Sequence, residues 1–239
     1  VSSDIVYWLN QFNFNGMYYN SIGNTSDIFW SHLNRSIYSE INQENQLVQR
    51  DSYQFNLSLY HKARDHFSGL NTDFRDLNSF IKTNLQNVGP INLLGTLTTL
   101  HSDPRFISVA DEQMTYVENG TERAFSDPPE EVEYMSSYQK LANFTAFNFS
   151  IPGIPVVYYG EEIGLEGAGD PDNRRPMRFG KKLNMGEYML TEKVSSLAYL
   201  RREYSALSIG DFYSVYSDGP VWVYLKVYFD EIILVVINQ

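Results

Sequence analysis

The chain has no cysteine, which excludes a disulfide framework, a thiolate nucleophile and a cysteine-based zinc site. It has 4 histidines, and they are scattered, so a histidine-rich metal site is not expected. Basic residues are also scarce: 18 Lys and Arg stand against 29 Asp and Glu, for a net charge of −11. Binding to a phosphate backbone depends on a basic footprint, and no basic patch with interleaved aromatics occurs, so nucleic acid is not expected as a partner. Long apolar runs are missing too. The longest, IILVVI at 232–237, falls far short of the roughly 20 residues of a membrane span. The opening residues VSSDIVYWLN carry neither an initiator methionine nor a signal-peptide pattern. They read as a start in mid-fold, so an upstream segment or a partner chain is expected to complete the molecule.

What is present is enough for a large core: 239 residues, 43% hydrophobic and 15% aromatic, well outside the disordered range. Ile5, Leu9 and Phe12 predict a short amphipathic helix over 5–12, and within NGMYYNSI, 15–22, residues Gly16 to Ile22 predict a strand. A Thr/Ser/Asp cluster then opens a helix through Ile28, Phe29 and Leu33. IYSEI at 37–41 and DSYQFNLSLY at 51–60 have strand character, and 59–85 is mostly helical. Residues 91–100 predict a buried strand, 111–133 a long acidic excursion, 138–150 a helix, 151–160 a strand and 194–207 a helix. About five strand–helix units alternate in this way, the pattern of a parallel sheet wrapped by helices. Both an open doubly wound sheet and part of an eight-stranded barrel fit. Beyond Gly210, strands follow one another through tight turns such as Asp218-Gly219, which predicts an antiparallel meander. The expected division is 1–209 and 210–239.

Asn-x-Ser/Thr occurs six times, at Asn24, Asn34, Asn56, Asn119, Asn143 and Asn148, where composition alone gives roughly three. Used sequons would place the chain in a secretory lumen or outside a cell. Asn143 and Asn148 fall in a helix expected to be buried, which leaves Asn24, Asn34, Asn56 and Asn119 as acceptors.

The most distinctive segment is IPGIPVVYYGEEIGLEGAGDPDNRRPMRFG at 151–180. A proline-bracketed strand opens into a loop holding Glu161, Glu162, Asp170, Asp172, Arg174 and Arg175. Alternating carboxylates and guanidiniums beside aromatic faces suit a polyhydroxylated ligand, and they equally suit an ion-paired loop that closes the sheet. Here the sequence resembles the α-amylase family, glycoside hydrolase family 13, whose members carry PGxPxxYYGxEIG and a DPDNRR loop at the eighth strand. INLLGTLTTLHSDPRFISVA resembles the seventh-strand motif, RDSYQFNLSLYHKARDHF the sixth-strand stretch, and NGMYYNSI the fourth-strand motif DGFRLDA. The resemblance implies an α/β fold: a partial (β/α)8 TIM barrel of about strands four to eight, followed by the start of an antiparallel β-domain.

Members of that family are retaining glycosidases, in which one carboxylate attacks the anomeric carbon and a second carboxylic acid protonates the leaving oxygen. On the resemblance, the nucleophile position is Asn20, a neutral amide, and the supporting arginine is Tyr18. The third carboxylate falls on Ser102, with Asp103 as a substitute if the motif slips by one residue. Glu40 stands where the acid/base is expected. His101, Arg105, Asp172, Arg174 and the tyrosines Tyr18, Tyr19 and Tyr159 are candidates for substrate binding, while Arg105 reads equally as a salt-bridge anchor and His101 as a framework histidine. The resemblance leaves calcium open as a cofactor, but the family's calcium-binding region falls outside this chain, so no metal or other cofactor is expected.

With one carboxylate left, double displacement is lost. The expectation is a catalytically degenerate α-amylase-like domain, acting as a structural or interaction module with binding of an α-glucan or other sugar left open. The alternative is an active retaining α-glucan hydrolase or transglycosidase with a rewired site.

Overall fold

A computed structural model of the chain describes residues 2–12, 29, 32–33, 35–37, 55–88 and 94–239. The chain divides into two compact units, Val1–Ser52 and Tyr53–Gln239. In the first, helix α1 (Ser2–Phe12) begins three residues before the expected start. Ile5 is buried with Leu33 and Ile37, and Val6 packs against them. Ile37 is helical, against the strand expected there; the rest of IYSEI and all of NGMYYNSI lie outside the described residues.

The second unit opens at Phe55, which bridges Gly95 in parallel. Helices α2 (Leu57–Phe67) and α3 (Phe74–Val88) then lead to strand β1 (Gly95–Leu97). One expectation changes here. DSYQFNLSLY is not a strand beyond Phe55, because Asn56 accepts a hydrogen bond from Leu59 N at 3.1 Å and starts a helix. The stretch expected to be mostly helical, 59–85, is so, as two helices separated where Gly69 takes φ +95°.

After β1 come α4 (Phe106–Ala110), α5 (Gly120–Ser126) and α6 (Met135–Ser150), so the acidic excursion holds a helix of its own. Strand β2 (Ile154–Val156) pairs with β1 in parallel, Gly95 opposite Ile154. Both strands are shorter than expected. A parallel pair requires such helical crossovers. Helices α7 (Met185–Glu203) and α8 (Ser205–Ile209) precede an antiparallel sheet of β3 (Asp211–Asp218), β4 (Val221–Tyr228) and β5 (Glu231–Asn238), in the order β3-β4-β5.

One aromatic core joins these layers. Leu141, Phe144 and Phe147 line the buried side of α6, as their spacing predicts. Phe144 stacks on Phe67 at 5.0 Å and meets Phe106 at 5.0 Å. From β4, Trp222 reaches Phe147 at 5.8 Å and Phe74 at 5.7 Å, which fixes the meander onto α3 and α6.

Next to that core, Lys226 is fully buried, and its Nζ donates to the Gly210 carbonyl. Burial first, then the nearby Arg201, lowers its ammonium from the usual 10.5 to about 8, with Asp211 opposing. Because the folded value is the lower one, the unfolded chain binds more protons between pH 8 and 10.5, so this group adds stability as pH rises through that window. At roughly 1.4 kcal/mol per pH unit the effect is ~3 kcal/mol. Lys226→Met removes it: the stability of the native chain relative to the variant should rise by about that much from pH 7 to pH 10.5 in urea unfolding. A difference that stays constant with pH would contradict the assignment.

Candidate functional site

The C-terminal ends of β1 and β2 deliver the loops 98–105 and 157–175, the place where parallel α/β folds carry their sites. The β1 loop opens on buried Thr98 and Thr99 and continues through His101, Ser102, Asp103 and Arg105. Ser102 is exposed and His101 half-buried. Asp103 is held from three directions: Arg64 Nη1 donates to Oδ2 at 2.7 Å, the Tyr60 hydroxyl donates to the same oxygen at 3.0 Å, and Ser102 Oγ donates to Oδ1 at 3.2 Å. Arg64 also stacks over the Tyr116 ring at 3.9 Å. Burial, then the Asp103 charge, pushes the Tyr60 phenol above the usual tyrosine range. The His61 imidazole is lowered, first by burial and then by Arg64.

Arg105 has no exposed surface. Its Nε donates to the Asn173 carbonyl at 2.9 Å and Nη1 to the Tyr159 carbonyl at 2.7 Å. Nη1 also lies 3.5 Å from Glu161 Oε1, and the guanidinium stacks over Tyr158 at 4.2 Å and Tyr159 at 4.9 Å. Glu161 is positioned by Gly160, whose φ of +88° turns the chain into the short 3-10 turn Glu161–Ile163. Thr98 Oγ1 donates to Glu161 Oε2 at 3.1 Å. Burial raises the Glu161 carboxyl, with Arg105 working in the opposite direction.

The loop with alternating charges is bound into the framework. Asn173, fully buried, donates through Nδ2 to the carbonyls of His101 and Asp103, both at 2.9 Å, so it clamps the β2 loop onto the tip of β1. Asp172 takes a bidentate contact from Arg175, at 2.8 and 2.7 Å, and one from Ala168 N at 2.8 Å. Arg175 continues to Glu166 at 3.2 Å. Arg178 binds both Glu166 oxygens, at 2.9 and 2.8 Å, and also Glu187, whose other oxygen accepts from Asn184 N in the capping box of α7. Burial opposes the Glu166 charge, but the hydrogen bonds from Arg178 win and hold the carboxyl below its usual range. Arg174 stays half-exposed and paired with Asp170 at 2.6 Å. Tyr159 is partly exposed, its hydroxyl donating to the Arg175 carbonyl at 3.1 Å.

The structure thus brings His101, Ser102, Asp103, Arg105, Asp172 and Arg174 to one end of the parallel pair. Asn20, Tyr18, Tyr19, Glu40, Asn24 and Asn34 lie outside the described residues. Asn56 is half-buried as the N-cap of α2, and Asn119 is exposed as the N-cap of α5. Tyr60, Arg64 and Tyr116 carry no site assignment from sequence, and Glu161 is legible there only as one charge of the 151–180 loop. Tyr60 and Arg64 share a helix face by their i, i+4 spacing, which was the one available signal. Among the described residues, no three His, Asp or Glu side chains are grouped to hold a metal ion, and no helix is long and apolar enough to cross a membrane.

No protein-family model matches the chain. A cyclomaltodextrinase of Thermoanaerobacter pseudethanolicus is 37% identical over 106 residues, 44% of this chain and 18% of that protein. An alpha-amylase 1 of Schwanniomyces occidentalis is 28% identical over 166 residues, 70% of this chain and 27% of that protein. Among solved structures, an Anoxybacillus alpha-amylase superposes with a TM-score of 0.76 at 22% identity, covering 99% of this chain and 51% of that one. A cyclomaltodextrinase superposes with a TM-score of 0.76 at 20% identity, over 98% of this chain and 38% of its own. The chain therefore spans about half the length of the first of these structures, and about a quarter or less of the two curated relatives.

Proposed function

We propose that the chain is part of an α-amylase-type domain of glycoside hydrolase family 13, as its relatives suggest, and that this domain is catalytically degenerate. It serves as a structural or interaction module within a larger molecule. One observation carries the reading. At the β1 tip, the carboxylate that could replace the missing one is Asp103, and three donors already hold it: Oδ2 accepts from Arg64 and Tyr60, and Oδ1 accepts from Ser102. A carboxylate anchored in the framework in this way is not presented to an anomeric carbon or a leaving oxygen as a glycosidase carboxylate must be. The second carboxyl nearby, Glu161, is buried against Arg105 and Thr98. The resemblance adds Asn20 and Ser102 as neutral side chains at two of the three carboxylate positions.

The proposed architecture is the later part of a (β/α)8 barrel with the start of a β-domain, completed by an upstream segment or a partner chain. Support comes from the free side of β2, which pairs only with β1 among the described residues. It comes also from the apolar side chains that α7 leaves exposed, Met185, Tyr188, Met189, Tyr199 and Leu200. Such surface is usually covered in a functioning molecule.

The test is release of reducing sugar from a linear maltooligosaccharide by the complete polypeptide. The expected result is no turnover above buffer. Turnover that disappears in an Asp103→Asn variant would overturn the proposal. The relatives' names, cyclomaltodextrinase and alpha-amylase, favour a second reading, an active α-glucan hydrolase or transglycosidase using Asp103 and Glu40 or carboxylates from upstream. Partly exposed Tyr159, whose hydroxyl donates to the Arg175 carbonyl of the charged loop, favours retained sugar binding without cleavage. Maltose binding by calorimetry with no turnover would identify that case.

A further inference from the structure

Four of the six sequons lie among the described residues, and their asparagines have different surroundings. Asn148 is buried in α6, 1% exposed. Asn143, on the same helix, donates its Nδ2 to the Asn238 carbonyl at 3.3 Å, the bond that ties α6 to the end of β5. Asn56 is half-buried between Phe55 and α2, and its backbone N donates to the Gly95 carbonyl at 2.8 Å. A glycan on Asn148 would have to displace core, and one on Asn143 would have to fit at the contact that its Nδ2 makes with the end of β5.

Asn119 is different. It is exposed, as are its neighbours Glu118 and Thr121, and Val117 just before it is 95% exposed. Its Oδ1 accepts from Glu122 N at 3.3 Å and caps α5, which sets the amide orientation and turns Nδ2 away from the helix. Nδ2 makes no hydrogen bond among the described residues. The middle residue of this sequon is Gly120, docked backbone to backbone on the β2 loop. Gly169 N donates to the Gly120 carbonyl at 3.0 Å, and a Cβ on Gly120 would lie 2.8 Å from Gly169 N. The acceptor therefore projects from a fixed base, with its oxygen engaged by the helix it caps and its reactive nitrogen on the other side of the amide.

We infer that Asn119 is an N-glycosylation site, used in a secretory lumen, and that Asn143 and Asn148 are not modified in the folded protein. In the transfer, Asn119 Nδ2 attacks the anomeric carbon of a lipid-diphosphate-linked oligosaccharide. The C–N bond forms as the C–O bond to the diphosphate breaks; the amide gives up one proton and the lipid diphosphate leaves. Because transfer to a nascent chain precedes folding, the structure acts by deciding which modified chains can fold. A glycan on Asn119 leaves every described contact of the fold in place.

The test is glycopeptide mass spectrometry on the complete polypeptide, purified from its source and also secreted from a glycosylating host. A glycan on the peptide carrying Asn119, with Asn143 and Asn148 bare, is the expected result. Thr121→Ala, which destroys the sequon and keeps the Asn119 cap, should abolish that glycoform. It should leave the melting temperature of the enzymatically deglycosylated protein unchanged. Asn119→Asp, which keeps a capping oxygen, should behave in the same way. Folded protein with Asn119 bare in both preparations, or with a glycan on Asn143 or Asn148, overturns the inference.

Discussion

Arg105→Met should destabilise the chain by about 3–5 kcal/mol, the usual result of removing one partner from a buried ion pair. The native arginine has no exposed surface, and it is the cation facing Glu161, itself 2% exposed. Its loss leaves a buried carboxylate with the neutral hydroxyls of Thr98 and Thr99 in place of a cation. It also leaves the Asn173 and Tyr159 carbonyls without their donors, each about 1–3 kcal/mol if left unsatisfied. Both carbonyls belong to the β2 loop and Arg105 to the β1 loop, so the change should loosen the site as well as the fold. The pH dependence has a definite sign. Burial raises the Glu161 carboxyl above its unfolded value, and removing Arg105 raises it further. Stability contributed by the neutral acid is then present at low pH and lost as pH rises through the folded value. The deficit of Arg105→Met should therefore shrink on acidification, and Glu161→Gln added to it should recover part of the loss at pH 7. Urea unfolding of the single and double variants checks this. A deficit below about 1 kcal/mol would show that the pair is not what holds the loops.

The second large effect is expected at Trp222. It is fully buried and lies within 5.1–6.1 Å of the rings of Tyr224, Phe74, Phe147 and Phe212. Trp222→Ala should cost about 3–5 kcal/mol, the range for truncating a large aromatic in a packed core. Because Phe74 is on α3 and Phe147 on α6, the loss should fall on the attachment of the β3-β4-β5 sheet to the helices. Trp222→Phe keeps an aromatic ring in the core and loses part of the indole together with the hydrogen bond from Nε1 to Ser214 Oγ, so it should recover much of the stability that Trp222→Ala loses. Near-UV circular dichroism and thermal unfolding of both variants would separate the cases. Equal destabilisation by Ala and Phe would point to the hydrogen bond and not to the packing.

Much of this core was legible in the sequence. The spacing of Leu141, Phe144 and Phe147 marked the buried face of α6, and the break in pattern at Gly210 marked the change to antiparallel strands. The start of α2 was not, since FNLSLY alternates as a half-buried strand does, and the signal that overrides it is the cap from Asn56. The site was legible only in its local part. DPDNRR reads as a charged loop, and it is one, but its buried Asn173 clamps a segment 70 and 72 residues away. The partners of Asp103, Tyr60 and Arg64, lie 43 and 39 residues away, and no periodicity connects residues at that distance. What made Asp103 look available as a replacement carboxylate was its place beside PRF; what occupies it is set by tertiary packing.

The account rests on the absence of a working nucleophile, and covalent trapping addresses that most directly. A retaining α-glycosidase forms a glycosyl ester with its carboxylate, and a fluorinated α-glucosyl fluoride makes that ester long-lived. Intact-mass spectrometry of the complete polypeptide after incubation with such a reagent should show the unmodified protein alone. A stoichiometric glycosyl adduct, mapped to Asp103 or to any other carboxylate, would contradict the degenerate reading.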